Sequence, residues 1–167
     1  MTSSTPILKT VKSYAKLNLS LAVFSPEKSS LHPIQSLFQE ISLYDTLHIT
    51  ATPSSTPSLT LTVEGLGMPI DDTNILSTIF KHYKPKLSHS YLIHVEKNIP
   101  MGSGMGGSSS NAASFLKLIN EIDQLGYTTS DLIEESYHFG SDVSFFIEGG
   151  LQLVSGEQDS LLPIGYS

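Results

Sequence analysis

Pro100-Met101-Gly102-Ser103-Gly104-Met105-Gly106-Gly107-Ser108-Ser109-Ser110-Asn111-Ala112-Ala113 is a glycine-rich loop that runs straight into an apolar helical pattern. Four glycines within six residues let the backbone pass through φ > 0 and approach a ligand with no Cβ in the way, so successive N–H groups converge on an anion. The helix that follows adds its unpaired N-terminal donors and the positive end of its dipole. Upstream, Tyr91-Leu92-Ile93-His94-Val95-Glu96 alternates with the period of a strand; downstream, Ala112, Ala113, Phe115, Leu116, Leu118 and Ile119 recur at helical spacing. Strand, glycine loop and helix therefore stand in the order a phosphate cradle requires. Ser108, Ser109 and Ser110 fall where a helix N-cap wants a hydroxyl, and the same hydroxyls suit phosphate oxygens or a magnesium-bound water.

Two common nucleotide motifs are excluded. No Gly-Lys-Ser/Thr closes the loop, and no acidic residue lies near the end of a second strand about 20 residues on, so it is neither a P-loop nor a dinucleotide fingerprint.

Around the loop, the first nine residues are polar and expected to fray. Val11 to Phe24 reads as a half-buried strand, with Tyr14, Lys16, Asn18 and Ser20 on one side and Ala15, Leu17, Leu19 and Leu21 on the other. Lys16 and Asn18 then project together, toward a common ligand or as part of an ordinary solvated face. Residues 25–30 read as a turn, Gln35 to Thr50 as one long or two consecutive strands, residues 51–57 as a break, and Leu59 to Val63 as another strand. Asp71, Asp72, Thr73 and Asn74 are N-cap candidates for a helix running through Tyr83, with Pro85 marking its end; Thr128 and Asp131 resemble a capping box for a short helix to about His138. This order predicts an α+β domain with helices against one face of a mainly antiparallel sheet.

The loop resembles the Pro-x-x-x-Gly-Leu-Gly-Ser/Gly-Ser-Ser signature of the GHMP kinase superfamily. Tyr14-Ala15-Lys16-Leu17-Asn18-Leu19, Leu37-Phe38-Gln39-Glu40-Ile41-Ser42-Leu43-Tyr44-Asp45, Asn74-Ile75-Leu76 and Gly140-Ser141-Asp142-Val143-Ser144-Phe145-Phe146 are similar, in order, to signatures of its 4-diphosphocytidyl-2-C-methyl-D-erythritol kinase family. The resemblance implies a ribosomal-protein-S5 domain-2-like fold and ATP, with Mg2+, wrapped by residues 100–110. It implies transfer of the γ-phosphate to a hydroxyl of a cytidine-diphosphate-linked methylerythritol, in the non-mevalonate isoprenoid pathway. It also implies that residues 1–167 are the first, ATP-binding domain of a kinase type that has two, the second, C-terminal domain being missing from this chain.

The same resemblance assigns roles. Asp142 matches the base that takes the hydroxyl proton; Lys16 matches the lysine that holds that aspartate ionised and offsets charge on the transferring group. Asn18 and His32 match substrate contacts, the histidine at the cytosine end, where Leu31 replaces the family's tyrosine. Asn74 matches a position near the adenine. Read without the family, an aspartate after Gly-Ser is a turn or helix cap and a strand lysine a surface charge.

Composition sets the remaining bounds. The chain of 167 residues suffices for one core, has no cysteine and carries a net charge of −7, which argues against a nucleic-acid surface. Met1 to Lys12 lacks the apolar core of a secretory signal and no long uncharged apolar run exists, so a cytoplasmic setting without a membrane partner is expected. The histidines show no close ligand pair, so no structural metal is expected. Two alternatives to the leading kinase reading stay open: a catalytically silent ATP-binding module, and a kinase of the superfamily acting on another small molecule. Self-association, or pairing with a separate C-terminal half, is a further expectation.

Overall fold

Leu47, Ile49 and Ala51 point inward from one strand and Val95, Ile93 and Tyr91 from the strand beside it, and these paired rows are the floor of the core. The computed structural model describes residues 5–23, 34–156 and 160–164. Its elements are β1 (Ile7–Val23), β2 (Ile34–Pro53), β3 (Leu59–Gly65), α1 (Ile75–Tyr83), β4 (His89–Lys97), α2 (Gly107–Ile122), α3 (Thr129–Ser136), α4 (Ser141–Glu148), β5 (Leu151–Gly156) and β6 (Ser160–Pro163). They build one six-stranded sheet around β2. β1 lies antiparallel along the whole of β2, while on the other side β4 pairs with residues 46–53 and β5 with residues 34–39. β3 and β4 are parallel, with α1 between them in sequence, and the remaining pairs are antiparallel. The expected α+β architecture with a mainly antiparallel sheet is what forms.

The helices close the core from the inward-facing side. Leu76, Ile79, Phe80 and Tyr83 of α1, and Phe115, Leu116 and Ile119 of α2, are buried against those rows. Each such side chain contributes about 1.5–3 kcal/mol by leaving water. α2 is buried on most of its surface because it also touches α1, α3 and α4. Among the N-cap candidates Asn74 is the one used, its Oδ1 accepting from Leu76 N at 2.8 Å. Thr128 and Asp131 form the expected capping box of α3.

Several boundaries move. Ile7 to Lys9 belong to β1 rather than a frayed end; β2 is a single strand continuing through Pro53; and Pro85 sits in a 3-10 turn, Lys84–Lys86, after α1. The turn at 25–30 lies outside the described residues. Two corrections concern faces. β1 carries irregularities between Tyr14 and Ala15 and between Asn18 and Ser20. At the first, β2 holds two more residues than β1, and the inward side passes from odd to even positions: Ser13 bonds Ser114 of α2, yet Lys16 also points inward. Tyr14 therefore does not share a face with Lys16; its ring meets Tyr44 edge-on at 5.5 Å on the open face. Leu17 and Leu19, on the apolar side of the expected half-buried strand, are 44% and 58% exposed. Among the described residues no helix is long and apolar enough to cross a membrane.

Candidate active site

The glycine loop leaves β4 at Lys97 and enters α2 through Gly106, which is the N-cap. Ser108, Ser109 and Ser110 are thus not caps but the first turn of the helix. The reason is conformational: Gly102, Gly104 and Gly106 take φ of +69°, +75° and +71°, the left-handed region that side-chain-bearing residues avoid. Pro100, Met101, Gly102, Ser103, Gly104, Gly106, Gly107, Ser108 and Ser109 curl around a cavity of about 120 Å³. Ser103 is spent within the loop, its hydroxyl donating to Pro100 O at 2.7 Å and accepting from Met105 N at 3.3 Å. Ser110 is buried behind the cradle, its N–H bonded to Gly106 O at 2.8 Å.

A second cavity of about 190 Å³ shares Met101 and Ser108 with the first and is otherwise lined by Met68, Pro69, Thr73, Asn74, Ile75, Leu76 and Asn111. The amide of Asn74 is committed there: besides capping α1, its Nδ2 donates to Pro69 O at 2.6 Å. Asn111 Oδ1 is buried and finds no hydrogen-bond partner among the described residues.

Lys16 lies against the loop. Its N–H donates to Met105 O at 3.0 Å, and its side chain touches the space that a Cβ on Gly106 would take. Its ammonium donates to Asn18 Oδ1 at 2.7 Å, sits 4.2 Å over the Phe38 ring and lies 3.4 Å from Asp142 Oδ2. Asp142 is in the first turn of α4, where the helix dipole favours an anion, and its side chain stays 35% exposed. The structure thus brings Lys16, Asn18, Asp142 and the glycine loop together across distant parts of the chain. His32 and Leu31 lie outside the described residues.

Gly106→Ala tests how tightly this junction is packed. A Cβ there stands 2.8 Å from Phe146 ring atoms, and alanine at positive φ costs roughly 1–2 kcal/mol by itself. The expected result is a lower thermal midpoint, read in melts of the variant beside wild type.

Four participants were not read from the sequence. Asp45, fully buried, accepts from Lys97 Nζ, Asn98 N and Ile99 N at 2.8 Å each and from Asn111 Nδ2 at 3.0 Å. Lys97, also buried, donates to Ile99 O as well and lines the smaller cavity. Beneath α4, Lys117 donates to Phe146 O at 3.1 Å and Ile147 O at 3.2 Å, and burial lowers its pKa against the opposing charge of Glu40. Burial likewise raises the Glu40 carboxyl, against a Gly150 backbone hydrogen bond and Lys117. An acid raised in the folded state contributes stability below its unfolded pKa of about 4.5 and loses it as pH climbs through the folded value. Glu40→Gln is therefore expected to flatten the fall in thermal midpoint between pH 4.5 and neutrality, read in melts across that range.

Residues 74–150 match the family model described as GHMP kinases N terminal domain. The chain is 36% identical over 154 residues to a 4-diphosphocytidyl-2-C-methyl-D-erythritol kinase of Fervidobacterium nodosum, covering 92% of this chain and 54% of that protein. It is 38% identical over 141 residues to the protein of the same name from Acinetobacter baumannii, covering 83% and 50%. It thus spans about half the length of the curated relatives it matches. Among solved structures, a 4-(cytidine 5'-diphospho)-2C-methyl-D-erythritol kinase superposes with a TM-score of 0.77 at 27% identity, covering 95% of this chain and 56% of that one. Mevalonate pyrophosphate decarboxylase from Streptococcus pyogenes shares the fold, with a TM-score of 0.71 at 15% identity over 96% of this chain and 51% of that one. By sequence and by fold, this chain carries the N-terminal domain of the GHMP kinases.

Proposed function

We propose that the chain is the ATP-binding domain of a small-molecule kinase that phosphorylates a hydroxyl of 4-diphosphocytidyl-2-C-methyl-D-erythritol, in the non-mevalonate route to isoprenoids. The observation that carries this reading is Lys16 standing 3.4 Å from Asp142 while its own N–H is bonded to the glycine loop. Phosphoryl transfer needs an acceptor hydroxyl in line with the γ-phosphate and charge stabilisation around it, and this junction has a carboxylate and an ammonium beside an anion cradle. Asp142 takes the hydroxyl proton; the hydroxyl oxygen bonds to the γ-phosphorus; the bond to the bridging oxygen breaks, and its electron pair leaves with ADP. Lys16 offsets the charge that develops.

The cradle fits phosphates because Gly102, Gly104, Gly106 and Gly107 supply much of its lining, leaving backbone N–H groups open to an anion, with the Ser108 and Ser109 hydroxyls at its helical end. The neighbouring cavity fits a base: its walls are largely apolar, and Asn111 Oδ1 is a buried acceptor without a partner among the described residues. Mg2+ fits through the nucleotide phosphates, with Ser108 or Ser109 as the hydroxyl donor; when bound it neutralises phosphate charge. Asn18, bonded to Lys16, lies where an acceptor approaches, and His32 is assigned to the cytosine end by resemblance alone. The whole is placed in the cytoplasm, with a second domain, a second copy or a separate chain completing the cleft.

The test is ADP release coupled to a spectroscopic readout, with magnesium-ATP and the cytidine-diphosphate substrate, beside a direct ATP titration. Substrate-dependent ADP release supports the reading. ATP binding without release in a folded protein supports the silent nucleotide-binding module, and release with a different acceptor alone supports another kinase of the superfamily. Absence of ATP binding overturns all three.

A further inference from the structure

Asp45 and Lys97 form a buried ion pair, and the chemistry proposed above makes no direct use of the carboxylate. Its partners show what it holds. Asn98 N and Ile99 N lie at the point where the chain leaves β4 for the glycine loop, and Asn111 Nδ2 comes from the first turns of α2, where the loop has ended. One carboxylate on β2 thus grips both ends of the loop. Lys97 Nζ joins it from below at 2.8 Å, and a Cβ on Gly107 would come within 3.1 Å of that ammonium, so the pair is packed directly under the loop.

We propose that Asp45 is a positioning residue for the nucleotide phosphates: it fixes the two ends of the loop so that the amides between them keep an anion-binding shape before the anion arrives. The proposal rests on the reading of the loop as an ATP cradle. The physical reason is preorganisation. A loop with free ends orders itself at the moment of binding and surrenders affinity to do so, whereas one held by buried charge-assisted bonds is already ordered. Within the loop, Ser103 bonds its neighbours and Met105 O accepts from Lys16 N, bracing the middle and far side; at the take-off from β4 it is Asp45 that accepts from Asn98 N and Ile99 N.

The experiment uses the Asp45→Leu/Lys97→Met double variant, which removes the anchor and leaves no lone buried charge. In the folded variant the expected result is ATP binding weakened by roughly tenfold or more, the size seen when groups that orient a ligand-holding shell are removed. Amide exchange at residues 98–107 rises, while that of Ile93 and Val95 in β4 stays slow. ATP affinity within about twofold of wild type in a folded variant overturns the proposal. Should the double variant fail to fold, amide exchange in the ligand-free wild-type protein decides: Asn98 and Ile99 protected like Ile93 support the anchor, and exchange as fast as at Gly102 and Gly104 overturns it. Failure of the wild-type protein to bind magnesium-ATP is a separate result, which removes the ATP reading and with it the nucleotide role of the anchor.

Discussion

Asp142→Asn is expected to cut acceptor-dependent ADP release by about 10²- to 10⁴-fold, the contribution of a positioned general base. ATP affinity stays within about twofold, because an interaction lost only at the chemical step changes turnover and not ground-state binding. The split follows from the geometry. Asparagine has nearly the size and shape of aspartate and keeps its place in the first turn of α4, while the glycine loop is held by Lys16 N through Met105 O and not by Asp142. Lys16 retains Asn18 and the Phe38 ring after the change, so the ammonium does not lose its seat. The measurement is kcat with saturating acceptor beside an ATP titration. Turnover within tenfold of wild type would remove Asp142 from the role of base.

Lys97→Met alone is expected to destabilise the domain by roughly 3–5 kcal/mol, because it strands the Asp45 carboxylate without its counter-charge in the interior. Against a total stability of about 5–15 kcal/mol that is a large fraction, corresponding to a fall of about 10 °C in the melting midpoint. Adding Asp45→Leu is expected to restore only part of the loss, since it removes the lone charge but leaves Asn98 N, Ile99 N and Asn111 Nδ2 without their acceptor. Thermal melts of the two variants check both halves of this statement, and a single variant as stable as wild type would show the pair to be solvated or unimportant.

That pair was within reach of the sequence. Tyr91, Ile93 and Val95 take the inward positions of their strand, so Lys97 is the next inward residue; Leu47, Ile49 and Ala51 do the same for theirs, so Asp45 precedes them on the same face. Two inward charges of opposite sign on neighbouring strands ask for each other. The glycine loop, the capped start of α1 within residues 71–74 and the Thr128–Asp131 box were legible because each depends on local chemistry: positive φ, a side chain that accepts from a nearby N–H, a reciprocal pair three residues apart. The exposure of Leu17 and Leu19 was not, since pairing with β2 determines where β1 shifts register, and strict alternation has no means of marking such a step. The same holds for Asp142, whose residue type and context read equally as a cap; only the long-range approach of α4 to β1 sets it beside Lys16.

β2 is a strand with two tenants on one side and one on the other, and the change of face near Ile41 to Tyr44 lies between the tenants. Residues before it place Glu40 and Phe38 beneath α4, and residues after it place Asp45 and Leu47 beneath α2. A single-residue deletion there would leave both ladders able to form hydrogen bonds while turning one half of the sheet over relative to the other. What this stretch contributes is a count rather than a chemistry: Ser42 and Leu43 can change their side chains far more readily than the chain can change its length.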